Sequence, residues 1–149
     1  MNRLAEYFFA VAITLWVGAL WTVGFVAMIL FRQLDHALAG ALAAHLFNNV
    51  AWLGIGCACY VLIFLFMHEG VRTLKTSVFW FVLLMLLFTL ASHFGVDPIL
   101  ARLKTQALPR EVMESLLRNR FMAWHGVSSV LYLIESVLGI ALVTQTFKR

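Results

Sequence analysis

The chain has 149 residues, 63% of them hydrophobic and only 12% charged, with a mean hydropathy of +0.93. Soluble domains are about 45–50% apolar and about 25% charged, so this composition excludes an ordinary soluble domain and, more firmly, a disordered chain. The net charge of +4 on so apolar a chain reads as anchoring charge and attraction to anionic lipid, with the lipid bilayer as partner and no nucleic acid.

Four apolar segments follow one another at about residues 4–31, 41–67, 77–94 and 121–144. A bilayer-spanning helix uses about 20 residues at 1.5 Å rise, so all four reach across and only short loops remain. The expected fold is all-α: a polytopic integral membrane protein, an antiparallel four-helix transmembrane bundle forming a single domain over residues 1–149. The first segment has Arg3 before its apolar run, as a signal peptide would. The run continues to Phe31, beyond the roughly 7–15 residues of a signal core, and so reads as a retained first transmembrane helix.

The connections Arg32–Gly40 and His68–Thr76 are short, which makes the first three helices antiparallel neighbours. Within helix two, Cys57 and Cys59 stand two apart, on nearly opposite sides, where they neither bridge each other nor chelate one ion; they read as small core residues. Helix two and its lead-in also carry Gly40, Ala41, Ala43, Ala44, Ala51, Gly54, Gly56 and Ala58. Small residues let helix backbones approach in lipid, so this pattern reads as packing.

After helix three, Asp97-Pro98 predicts a helix start, with Asp as N-cap and Pro in the first turn. Ile99, Leu100 and Leu103 share one side, with Arg102 and Lys104 available to headgroups. This predicts a short interfacial helix over about 98–107, broken by Pro109. Val112, Met113, Leu116 and Leu117 then keep helical spacing, so helix four is expected to begin outside the membrane and run in.

Five basic residues (Arg3, Arg72, Lys75, Lys148, Arg149) fall on the side of the termini and six on the other. The five lie in very short segments at helix ends, where the positive-inside rule acts most strongly, and this predicts both termini in the cytoplasm.

Topology gives the histidines their interest. His36, His45, His93 and His125 fall on one membrane side and His68 on the other. His45, His93 and His125 are expected at similar depth, roughly 10–15 Å from the midplane. Neutral imidazole ligates transition metals and haem iron, so the three form a candidate ligand set for a copper-like metal or a b-type haem. His45 shares a helix face with Asn49 and Trp52, with Asn48 adjacent. His125, Ser128, Ser129, Tyr132 and Ser136 form one polar stripe, expected to face the bundle interior. Asn48, Asn49, Ser128, Ser129 and Tyr132 would then be the hydrogen-bonding partners that orient the imidazoles. The alternative is that the histidines sit at headgroup level as amphipathic side chains, the simplest account of His36 and His68.

Glu135 extends the stripe toward the bilayer middle, where a carboxylate costs about 2.5–3.5 kcal/mol on insertion scales. It is expected to be protonated, hydrogen-bonded or paired, with Tyr132 or hydroxyls of other helices as partners. It serves either as a proton relay or as a tie between helices. No CxxC, HExxH, GxGxxG or P-loop pattern occurs, so hydrolase, nucleotide and redox-thiol chemistry have no support.

The stretches LWVGALWTVGFVAMILF in helix one, HFGVDPILARL after helix three and RFMAWHGVSSVLYL entering helix four resemble a known family. It comprises the bacterial four-helix membrane proteins of unknown function related to eukaryotic transmembrane protein 205, distantly similar to copper-resistance D membrane proteins. The matching positions are Gly18, Gly24 and Phe31, Pro98-Ile99, and His125 with Ser128. Where relatives often carry Asn further along helix four, this chain has Tyr132 or its neighbours. The resemblance implies the four-helix fold, no settled reaction, and a copper association only through the distant similarity.

Three functions are therefore expected as alternatives. The first is a small inner-membrane protein with a histidine-lined metal or haem site near one surface. The second is an accessory or assembly subunit of a larger membrane complex, or of a homo-oligomer, with no ligand of its own. The third is a haem- or quinone-linked membrane oxidoreductase using Glu135 and Tyr132 for protons.

Overall fold

The computed structural model describes residues 3–107 and 114–146, apart from the side chains of residues 36–37, 104–107, 114–118 and 121–122. The helices are α1 (Arg3–Gln33), α2 (His36–Glu69), α3 (Ser77–Leu90), α4 (Asp97–Ala107) and α5 (Glu114–Thr146). Four stretches are long and apolar enough to cross a membrane: Arg3–Gln33, Leu38–Lys75, Ser77–Leu103 and Ala123–Thr146. They mark an integral membrane protein. Contacts run α1–α2, α2–α3, α3–α5 and α5–α1, closing an antiparallel ring of four.

The first connection is tighter than its composition suggests. Asp35 is extended (φ −61°, ψ 150°) and its carboxylate accepts the Leu38 N–H at 3.1 Å, so α2 starts at His36 instead of near residue 41. One capped donor is enough to begin the helix five residues early. At its other end α2 stops at Gly70, whose φ of 55° is readily adopted only without a Cβ and whose N–H closes on the Phe66 carbonyl. A 3₁₀ turn over Gly70–Lys75 then leads into α3. Its Thr73 is fully buried and donates to the Leu65 carbonyl at 2.8 Å, tying the turn to α2.

Asp97-Pro98 does not start a separate helix. Asp97 is itself helical, and Ala91–Val96 forms a π-helical segment that joins α3 to α4. Proline supplies no N–H and its ring presses on the carbonyl four residues earlier, here Phe94. Widening the ladder to i→i−5 bonds, as in the Asp97 N–H to the Ser92 carbonyl, lets the helix pass the proline without breaking. The break expected at Pro109, with Arg110, Val112 and Met113 after it, lies outside the described residues.

The core lies toward the end that carries the termini. Phe9, Ile13, Trp16, Val17 and Leu20 of α1 meet Val61 and Leu65 of α2, Val78, Phe79, Val82 and Met85 of α3, and Leu142 of α5. Glycine makes two of these approaches feasible. A Cβ at Gly54 would occupy the place of the Trp16 indole nitrogen, and one at Gly139 would lie 3.2 Å from both Val17 methyls. Close backbone approach of this kind is how helices hold together where lipid removes the hydrophobic drive.

Candidate functional site

Apart from Thr73 in the turn after α2, the buried polar side chains among the described residues, Thr89, Glu135 and Ser136, lie midway along the bundle, where α1, α3 and α5 meet. Thr89 of α3 is buried because it continues the inward line of Val82 and Met85. Glu135 and Ser136 of α5 are buried opposite it, each 5% exposed. The Thr89 hydroxyl stands 2.5 Å from Glu135 Oε1 and 2.9 Å from the Met85 carbonyl. One hydroxyl carries one proton and can donate to only one of these oxygens. Both contacts are satisfied together when the Thr89 hydroxyl donates to the Met85 carbonyl and accepts a hydrogen bond from the protonated carboxyl of Glu135.

Of the two kinds of partner expected for Glu135, a hydroxyl of another helix, Thr89, meets its carboxyl, and Tyr132, one turn earlier on α5, does not. Its hydroxyl donates to the Leu20 carbonyl of α1, and its ring fits over Gly24, where any Cβ would collide with it. Phe47 of α2 meets the same ring edge-on with centroids 5.3 Å apart. Ser136 donates back to the Tyr132 carbonyl at 2.9 Å. Glu135 thus ties α5 to α3 through Thr89, and Tyr132 ties α5 to α1.

The polar stripe of α5 divides along its length. Tyr132, Glu135 and Ser136 turn into the bundle, whereas His125 and Ser129 are exposed and Ser128 is intermediate. Ser129 spends its hydroxyl on the His125 carbonyl at 2.9 Å. A serine bonded to its own helix has its proton satisfied and needs no interior partner.

The structure does not bring His45, His93 and His125 into one cluster. Among the described residues no group of three or more His, Cys, Asp or Glu side chains is placed to hold a metal ion. A three-histidine copper site therefore does not fit this arrangement. Registry explains the separation: the α2 residue beside His93 is Trp52, with ring centroids 5.4 Å apart. His45 lies about two turns, or roughly 10 Å, further along the axis. His45, Asn48 and Asn49 are exposed and lie on the outer face of α2, away from its buried line through Val50, Cys57, Val61 and Leu65.

Among the histidines whose side chains are described, His93 is the most enclosed. It lies in the π-helical segment, packed edge-on against Trp52 and Phe94. Its Nδ1 is buried without a hydrogen-bond partner, and the Asp97 carboxylate one turn on is 3.7 Å away, beyond hydrogen-bond reach.

Sequence spacing did not reveal the Leu20 carbonyl as acceptor for Tyr132, since every residue carries such a group. Gly24, one of several small residues of α1 with Gly18, Ala19 and Thr22, offered the only signal.

A four-helix membrane protein with one buried carboxyl at its centre is the class these features define. The chain belongs to the family of the domain of unknown function DUF4149, whose model matches residues 11–109. That match runs from within α1 through α4 and ends before α5, so Glu135 and Tyr132 lie outside it. No curated protein and no solved structure matches the chain.

Proposed function

We propose that the protein takes up and releases a proton within the membrane, with Glu135 as the carrier. The observation that supports this reading is the enclosed contact of 2.5 Å between Thr89 and Glu135, both buried. No Lys or Arg lies near the middle of a described span to neutralise the carboxylate. A carboxyl held at the bilayer middle is a functional group by default, because retaining it is costly. In this reading Thr89 positions the acid and Tyr132 holds α5 against α1. The protein sits in the bacterial inner membrane with both termini cytoplasmic, supported by the basic residues in the short segments on that side. The far end of α4, where the stretch Ser77–Leu103 finishes, lies at the opposite interface.

The test is infrared difference spectroscopy of protein in lipid across a pH series, with proton flux measured in proteoliposomes. Wild type is expected to show a protonated-carboxyl band that titrates. Glu135→Gln should remove both band and flux, and Thr89→Val should shift the band. A band that never titrates, with flux unchanged in Glu135→Gln, would reduce Glu135 to a tie between helices and favour the accessory subunit.

His93 favours a second reading, in which the protein holds a b-type haem or a single metal ion. Its support is the buried Nδ1 without a partner, beside Asp97. A visible absorption spectrum with elemental analysis of the same gently purified sample decides it. Colour or near-stoichiometric metal that disappears in His93→Ala supports the reading, and a colourless, metal-free folded protein removes it.

A further inference from the structure

Between the outer faces of α1 and α2 runs an open groove of about 430 Å³. Val11 and Leu15 form one wall, and Leu53, Gly56 and Tyr60 the other. The α2 line through Tyr60, Gly56 and Leu53 continues at helical spacing to Asn49, and the α1 line through Val11 and Leu15 continues to Gly18. Gly18 and Gly56 are both open: a Cβ at either would meet nothing within 4 Å. The groove is therefore apolar over most of its length, and its line ends at an amide and a glycine.

Depth identifies what suits that end. The span Leu38–Lys75 places Asn49 about 10 Å from the bilayer middle, inside a hydrocarbon layer whose half-thickness is about 15 Å. Asn49 is exposed, and its amide has no hydrogen-bond partner among the described residues. An amide facing hydrocarbon is costly, and a ligand that hydrogen-bonds to it relieves that cost. A phospholipid does not fit, because its carbonyl groups stand at the surface beyond this depth. An amphiphile with its polar head inside the hydrocarbon layer does. Trp52, 56% exposed and lining the same groove, supplies a flat indole beside Asn49.

We propose that this groove binds an isoprenoid quinone. The ring lies against Trp52 and Gly18 with a carbonyl accepting from the Asn49 amide. The tail lies over Gly56 toward Tyr60. The volume, lined from Trp52 to Tyr60, suits the first part of the tail, with the ring at and beyond its Trp52 end. The proposal concerns binding alone and is independent of Glu135.

The test uses full-length protein in lipid vesicles, titrated with a decyl-substituted benzoquinone while tryptophan fluorescence is followed, with Trp52→Phe identifying the Trp52 signal. Saturable quenching of Trp52 is expected. Gly56→Phe, which fills open space and should fold normally, is expected to abolish saturation, and Asn49→Leu to weaken binding about five- to tenfold, the loss of one hydrogen bond. Quinone extracted from the purified protein should fall in parallel. Quenching that rises linearly without saturation, or is unchanged in Gly56→Phe, overturns the proposal. So does equal competition by a dialkyl phospholipid, which would make the groove an ordinary acyl-chain contact. Loss of a dimer in Gly56→Phe with no quinone effect would assign the groove to a second copy and overturn it equally.

Discussion

The two ends of the bundle are built differently. Toward the termini, large apolar side chains interlock: Phe9 and Ile13, Leu65, Val78 and Phe79, and Leu142 are all buried. Toward the other end the buried apolar residues are mostly small, Ala27, Ala39 and Ala43, with Val96, and His45, Asn48, Asn49, His125 and Ser129 are exposed. Glu135, Thr89 and Tyr132 lie between the two. In lipid, helices are held by van der Waals contact and by hydrogen bonds between them. One end of this bundle uses mainly the first and the middle adds the second. The mechanical and chemical tasks are thereby separated along the axis, so variants at the two ends should fail in different ways.

The largest effect is expected at Trp16, fully buried and seated over Gly54. Trp16→Ala leaves a cavity at the α1–α2 contact and should cost about 3–5 kcal/mol, read from reversible unfolding in mixed micelles. Trp52→Ala, in the open half, should cost less than about 1 kcal/mol. Equal losses would break the comparison. Next comes Gly24→Leu, which drives a side chain into the Tyr132 ring and parts its hydroxyl from Leu20. Overpacking of this kind costs about 1–3 kcal/mol. It should loosen α5 from α1 while leaving the α3–α5 contact intact, measurable as a spin-label distance change confined to the first pair.

The spans were legible because hydropathy over about 20 residues reports the surrounding solvent, whatever the packing inside. The placement of Glu135 was legible for the same reason: a carboxylate in lipid must turn inward. That a hydroxyl of another helix would meet it was among the expectations; which one was not legible, since Thr89 lies 46 residues away and only the registry of α3 against α5 brings it there. Registry likewise set Trp52 beside His93, separating histidines whose distances from their helix centres look alike. Asp97-Pro98 misled because the same pair suits an N-cap and a proline absorbed by a π turn. Tertiary contact of α4 with α5 accompanies the second, and such contact is not local information.

A smaller effect is expected at Thr89. Thr89→Val keeps the shape and removes the hydroxyl, and interhelical hydrogen bonds in membranes average about 0.6 kcal/mol with a maximum near 1.7. The loss should fall within that range, well below that of Trp16→Ala. A loss as large as that of Trp16→Ala would mean that the polar middle also bears the mechanical load.

The smallest energy and the most informative geometry belong to Pro98. Pro98→Ala restores a backbone N–H and removes the ring that presses on Phe94, so the segment Ala91–Val96 can return to ordinary i→i−4 bonding. Ala is the better helix former, yet the change should alter stability by less than about 1 kcal/mol, because turning α4 disturbs its contact with α5. A π turn holds one residue more than an α turn, so its removal rotates α4 by about 100° relative to α3. Spin labels on α4 and α5 should then report a new distance, and the Asp97 amide should exchange its bond to Ser92 for one to His93. Distances that stay as in wild type would mean that packing against α5, and not the proline, holds the π segment in place. In either case the variant tests whether His93 owes its buried, unpartnered nitrogen to the proline five residues further along the chain.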